Sequence, residues 1–239
     1  THEDYEKEKS VLHLQRSGRV DGLMISVADS TRNVEHLREV AASEMPMVLF
    51  DRVCEELDVP KVTTDDEEVS FKGTDQLLKS GCRKVAFFSM SEHLSISTRR
   101  KRGYLRALKK HGIHEPDILM DFSSSDDVEN RRQIRNVLSG GNRPDGVFVA
   151  VERLAINIYE VCHELQIRIP EDLKVISFSN LSACGLFNPP LTTIFQPAFE
   201  IGKEGAEILF KLIGKKKLLP QEKELQIPSV IEMRSSTGI

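Results

Sequence analysis

The chain has 239 residues, with 33 basic and 37 acidic side chains, a formal net charge of −4, 39% hydrophobic and 29% charged residues. This composition is that of a folded globular chain and excludes a disordered one; the length allows one large domain or two small ones. No run of about 20 apolar residues is present, which excludes a membrane-spanning helix, and the slight acidity gives no field that would draw nucleic acid without a separate basic module.

The first residues, THEDYEKEKSVLHLQRSGRV, are charged throughout and do not resemble a secretory signal. They read instead as a helix over 2–17, with Tyr5, Val11 and Leu12 on one face and Gly18 at its end. A doubly wound sheet normally opens on a strand. The helical start is therefore expected if the chain is a fragment whose beginning lies upstream.

Five short apolar runs follow, at 22–27, 46–50, 84–89, 146–150 and 174–178. Each is continuous rather than alternating, the pattern of strands covered on both faces, as in parallel sheets. Between them lie helical segments. Residues 31–44 carry Val34, Leu37, Val40 and Ala41 at helical spacing, with Ser30 or Thr31 as the expected cap. Residues 66–80 begin with Asp66, Glu67 and Glu68 and stop at Gly81, acid at the positive dipole end and glycine past the negative end. Further helices are expected over 98–111, 126–139, 152–166 and 198–213. The repeated order of strand, helix and strand gives an α/β fold with right-handed crossovers.

Local catalytic signatures are absent: there is no GxxxxGK[ST], GxGxxG, HExxH or GxSxG. This argues against an enzyme, and no cofactor is called for. Cys54, Cys82, Cys162 and Cys184 form no CxxC pair and read as small apolar residues of a reducing compartment. His111 and His114 straddle Gly112 without carboxylate or cysteine company, so no metal site is expected. The basic run Arg99 to Arg102 reads as a solvated helix face with one or two inward arginines, and Lys215 to Lys217 as positive charge after a helix end.

Eight segments, in order, resemble the effector-binding core of the lactose/galactose repressor (LacI/GalR) family. They are Val20-Asp21-Gly22-Leu23-Met24-Ile25; Pro46-Met47-Val48-Leu49-Phe50-Asp51-Arg52; Thr64-Asp65-Asp66 through Gly81-Cys82-Arg83-Lys84; Arg100-Lys101-Arg102-Gly103-Tyr104; Pro144-Asp145-Gly146-Val147-Phe148; Ile169-Pro170-Glu171-Asp172; Pro190-Leu191-Thr192-Thr193 with Gln196-Pro197; and Met233-Arg234-Ser235-Ser236, read as a closing strand. The resemblance covers essentially the whole chain. It implies a periplasmic-binding-protein-like type I fold, α/β, with two doubly wound parallel-sheet subdomains joined by three crossovers and a small ligand in the cleft between them. The expected division is 1–63 plus 195–222, and 64–194 plus 223–239. Family members add an N-terminal helix-turn-helix module, a hinge helix, and a first core strand and helix, which are not expected in these 239 residues.

The resemblance also implies ligand contacts. Asp51 ends a strand, where α/β sheets bind ligands; as an alternative it is a turn aspartate. Arg100 matches the family arginine that reaches the effector, its fork donating to hydroxyl or carboxylate oxygens; as an alternative it makes a surface ion pair. Val151-Glu152 stand where the family commonly has Asn-Asp, and Ser179-Asn180 where it has Asp-Asp. A typical hexose is therefore not expected, and Glu152, Ser179 and Gln196 would line the cleft with altered chemistry. The function implied is a cytoplasmic, homodimeric bacterial transcription regulator. It would sense a small polar effector, sugar-like in character, and would bind operator DNA through the helix-turn-helix module. The alternative is an extracytoplasmic solute-binding protein of the same fold.

Overall fold

The computed structural model describes residues 1–15, 20–116 and 118–238. Gly18, expected to end the first helix, lies outside them. The chain divides into two compact units, the first of residues 1–65, 93–96 and 197–228, the second of residues 66–92, 97–196 and 229–239.

The first unit is built on a four-stranded parallel sheet. Its strands are β1 (Leu23–Ile25), β2 (Met47–Phe50), β3 (Lys61–Thr64) and β9 (Glu224–Ile227), in the order β1-β2-β3-β9. The pleat of β2 divides its side chains between two layers. Met47 and Leu49 face Leu12 of α1 (Tyr5–Gln15) and Leu37 and Val40 of α2 (Glu35–Ala42). Val48 faces the other way, to Ile201 and Ile208 of α7 (Ala198–Ile213). A short α8 (Pro220–Lys223) leads into β9.

The second unit holds a six-stranded sheet in the order β10-β8-β7-β6-β4-β5. These are β4 (Val85–Met90), β5 (Leu119–Phe122), β6 (Gly146–Val149), β7 (Lys174–Phe178), β8 (Thr192–Phe195) and β10 (Val230–Glu232), all parallel except β10. Again β4, β6 and β7 each feed two cores. Ala86, Phe88, Val147, Val149 and Val175 pack with α5 (Asp127–Ser139) and α6 (Glu152–Leu165). Val85, Phe87, Phe148 and Ile176 pack with α3 (Asp66–Lys79) and α4 (Ser95–Lys110). Burial on both faces explains why these strands read as unbroken apolar runs.

The expected strands and helices are present, with differences at their ends. Neither Ser30 nor Thr31 caps α2. Its cap is Val34, which makes no side-chain bond, and Asn33 Oδ1 accepts from the Glu35 N–H at 2.8 Å instead. Thr31 serves another purpose, described below. The segment Met233 to Ser236 is not a strand: β10 ends at Glu232, and residues 235–237 form a 3-10 turn. Ser236 there accepts from the Thr192 N–H and donates to the Val175 carbonyl, stitching the turn to β7 and β8.

α3 and α4 meet at a glycine. A Cβ on Gly103 would lie 2.1 Å from the Glu67 carbonyl oxygen and 2.8 Å from the Phe71 nitrogen. Only a residue without a side chain allows this backbone approach. Beside it, buried Tyr104 donates to the Val85 carbonyl at 2.7 Å. At the far end of the same pair, Asp75 accepts from Lys110 at 3.0 Å and from His111 at 2.8 Å on one oxygen and from Lys79 at 2.7 Å on the other. His111 is thus part of a helix brace, and among the described residues no group of three or more His, Cys, Asp or Glu side chains is placed to hold a metal ion. All four cysteines are buried and unbridged; burial pushes the Cys162 thiol up to about 12.

Two outcomes follow. Gly103→Ala must force α4 away from α3 and lower stability by about 1–3 kcal/mol or more, measured by urea unfolding. Burial would raise the Asp75 carboxyl, but the hydrogen bonds from Lys79, His111 and Lys110 outweigh it and hold the group far below its ordinary range. Its contribution is therefore complete above the unfolded aspartate pKa of about 4 and is lost as pH falls below it. Asp75→Asn should flatten the acid limb of the stability profile.

Candidate functional site

The carboxyl ends of β6 and β7, the first turns of α3 and α6 and the second turn of α4 gather polar side chains at one edge of the six-stranded sheet. Such an edge is where open α/β sheets bind ligands. Its centre is Arg100, on α4 and only 4% exposed. Arg100 Nε donates to Asp66 Oδ1 at 2.7 Å, and Nη1 donates to the Ala150 carbonyl at 2.6 Å. The guanidinium stacks over Phe178, 3.6 Å from the ring centroid. Asp66 lies in the first turn of α3, where the helix dipole favours negative charge. The close approach at Gly103, one turn along, is what lets Arg100 reach it.

These anchors fix the two loops that carry Glu152 and Ser179. Ala150 precedes α6, whose first residue is Glu152, and Phe178 precedes Ser179. Ser179 Oγ donates to Glu152 Oε2 at 2.6 Å. The same hydroxyl accepts from the Leu181 N–H at 3.0 Å and lies 3.3 Å from Cys184 Sγ. Its hydrogen bonds are therefore committed to protein, and it acts on Glu152. Glu152 Oε1 has no partner among the described residues. Alongside, Asn180 clasps the backbone of Gln196: Nδ2 donates to the Gln196 carbonyl at 2.6 Å, and Oδ1 accepts from its N–H at 2.8 Å.

Of the five residues singled out from sequence, the second unit brings Arg100, Glu152 and Ser179 together, with Gln196 held next to Ser179 through Asn180. Asp51 belongs to the first unit. It follows β2 with φ of 56°, a left-handed conformation that aspartate tolerates better than most residues, and its N–H donates to the Val62 carbonyl at 3.0 Å. Arg100 is neither at the surface nor in a surface ion pair. Asp66, Phe178 and Asn180 were not singled out as site residues. Asp66 reads in sequence as an ordinary acidic first turn, and only its full burial sets it apart.

Comparison with known proteins agrees with this architecture. Residues 74–237 match the family model described as periplasmic binding protein-like domain. The chain belongs to that family. Its relatives place it in the LacI/GalR branch, as the motifs imply. It is 27% identical to "Catabolite control protein A" of Priestia megaterium, over 98% of this chain and 70% of that protein. It is 31% identical to "HTH-type transcriptional repressor PurR" of Vibrio atlanticus, over 89% of this chain and 63% of that protein. The chain thus spans about two thirds of the length of these relatives. Among solved structures, the transcription regulator CcpA of Lactococcus lactis aligns with a TM-score of 0.86 at 24% identity, over 98% of this chain and 84% of that one. A LacI family transcriptional regulator from Enterococcus faecium with bound ribose aligns at 0.81 and 27% identity, over 95% and 83%.

Removing one partner of the Arg100–Asp66 pair leaves a charge buried without compensation. Arg100→Ala should lower unfolding free energy by about 3–5 kcal/mol, read from denaturant titration. A loss under about 1 kcal/mol, typical of exposed pairs, would contradict this placement.

Proposed function

We propose that this chain is the effector-sensing core of a bacterial DNA-binding transcription regulator, cytoplasmic, homodimeric and not an enzyme. The observation that carries the reading is the Glu152 carboxylate, oriented by Ser179 at the carboxyl edge of the sheet, in front of a guanidinium already neutralised by Asp66. This arrangement suits recognition, for the Ser179 hydroxyl that donates to Glu152 also accepts from the Leu181 N–H and serves to orient the carboxylate. Glu152 Oε1 accepts from a donor on the effector, Arg100 Nη2 donates to it, and Gln196 contributes from the end of β8. Ser179 serves as the positioning residue. In the first unit the corresponding candidate is Asp51. The effector is small and polar. Simple hexoses are poor candidates, because a serine replaces the carboxylate that the family uses to read sugar hydroxyls.

Screening small polar metabolites by thermal shift tests this. A ligand that stabilises the wild type should lose at least tenfold in affinity with Glu152→Gln, since a buried donor then faces an amide unable to supply the same acceptor pair. Glucose and galactose should give no resolvable shift. An effector whose calorimetric affinity is unchanged by Glu152→Gln would overturn the assignment of Glu152.

DNA contact is expected only through a helix-turn-helix module. The 239-residue chain, at a net charge of −4, should show no sequence-dependent retention of its own promoter in a mobility-shift titration. Two-fold operators require two-fold proteins, so sedimentation at tens of micromolar should show a dimer; a strict monomer would count against that part of the proposal.

A further inference from the structure

Helix α1 is fastened to the first unit in an unusual way. Surface helices ordinarily bury an apolar stripe. In α1 the buried side chains are Glu8 and Leu12 alone. Glu8 is 3% exposed, and its carboxylate sits among three donors that all come from outside α1. The Ala28 N–H donates to Oε2 at 2.7 Å, while Thr31 Oγ1 and His36 Nε2 donate to Oε1 at 2.9 and 2.7 Å. Burial alone would raise the pKa of this carboxyl; the bonds from His36, Ala28 and Thr31 outweigh it and hold the group below its ordinary value. The three donors are themselves buried within the loop after β1 and the start of α2. Together they offer donors to two carboxylate oxygens from outside α1.

Two further observations point to a ligand site rather than a plain helix contact. His36 Nδ1 is buried and has no partner. His36 also lines a cavity of about 440 Å³ between α1 and α2, walled by Leu12 and Val40 and rimmed by Lys9 and His13. α1 is further held by the Tyr5 ring, edge-on to the His36 imidazole at 5.2 Å between centroids, by Leu12 in the core, and at the surface by Glu3 with Arg52 and the Asp29 N–H and by the Tyr5 N–H on Ser30.

We propose that Ala28, Thr31 and His36 form a carboxylate-binding socket that Glu8 fills in cis, and that a free small carboxylate occupies it when α1 lifts away. α1 is then a strap that gates the socket. The ligand class follows from the donors: three of them converge on two oxygens in a space that already holds one carboxylate. A phosphate would bring further oxygens with no donors to meet them. Because Glu8 is tethered, it competes at high effective concentration. The intact chain should respond to free carboxylate only weakly, and a chain without the Glu8 carboxylate strongly.

Glu8→Ala tests this with sodium acetate as the probe, against sodium chloride and sodium phosphate at matched ionic strength. At 100 mM, acetate should raise the folded-to-unfolded ratio of Glu8→Ala about tenfold over chloride, as expected for a dissociation constant on the order of 10 mM. Phosphate should not. The wild type should change less than twofold, and adding Thr31→Val to Glu8→Ala should abolish the acetate effect. Hydrogen exchange should show α1 amides of Glu8→Ala unprotected in chloride and in acetate, with β1 and β2 protected in both. Should Glu8→Ala not fold in chloride, folding restored by acetate supports the socket, and failure to fold in acetate overturns it. Equal effects of acetate and chloride, rescue by phosphate, or loss of β1 and β2 protection together with α1 would each overturn it.

Discussion

The carboxyl edge of the second unit's sheet depends on one buried ion pair. Arg100 and Asp66 are both removed from water, and each is the other's buried counter-ion. The pair sits where α4 crosses α3, and the crossing is close enough only because residue 103 has no side chain. From this position the guanidinium reaches two sheet strands at once, taking the carbonyl that ends β6 and the aromatic ring that ends β7. The loops bearing Glu152 and Ser179 are therefore set by a residue on a different helix. Arg100 organises the edge, and Ser179 orients the Glu152 carboxylate upon it.

The first unit uses the same device in another form. There a buried carboxylate on α1, Glu8, is met by the Ala28 N–H, Thr31 and His36. In both units a helix that offers few apolar contacts at that point is located by directional bonds. Hydrophobic burial supplies most of the stability of such a fold, but it is non-directional. Hydrogen-bonded charges contribute geometry, which a site requires.

The strands that carry the cores were legible in sequence because both faces of each are covered, so that every residue of a run such as Val85–Met90 is apolar or small. β3, with Lys61, Thr63 and Thr64 all buried, β5, with alternating exposure, and β9 and β10 carry no such run and were not read from the sequence, while β8 was visible only through the Pro190–Thr193 motif. The cap of α2 was misread because Thr31, a good cap by type, is committed to Glu8. Arg100 was legible as a site residue, but its partners lie 34 and 50 residues away, a separation at which no local pattern marks them. For the same reason Ser179 read as a ligand contact, whereas its hydroxyl is committed to Glu152, 27 residues distant.

The central claim is that Arg100 and Asp66 act as a unit. A double-mutant cycle measures this most directly, with Arg100→Met, Asp66→Leu and the double variant compared by urea unfolding. The account predicts that each single change is strongly destabilising and that the double variant is more stable than their sum implies by about 2 kcal/mol or more, because neither then leaves a lone buried charge. Additivity within about 0.5 kcal/mol would contradict it.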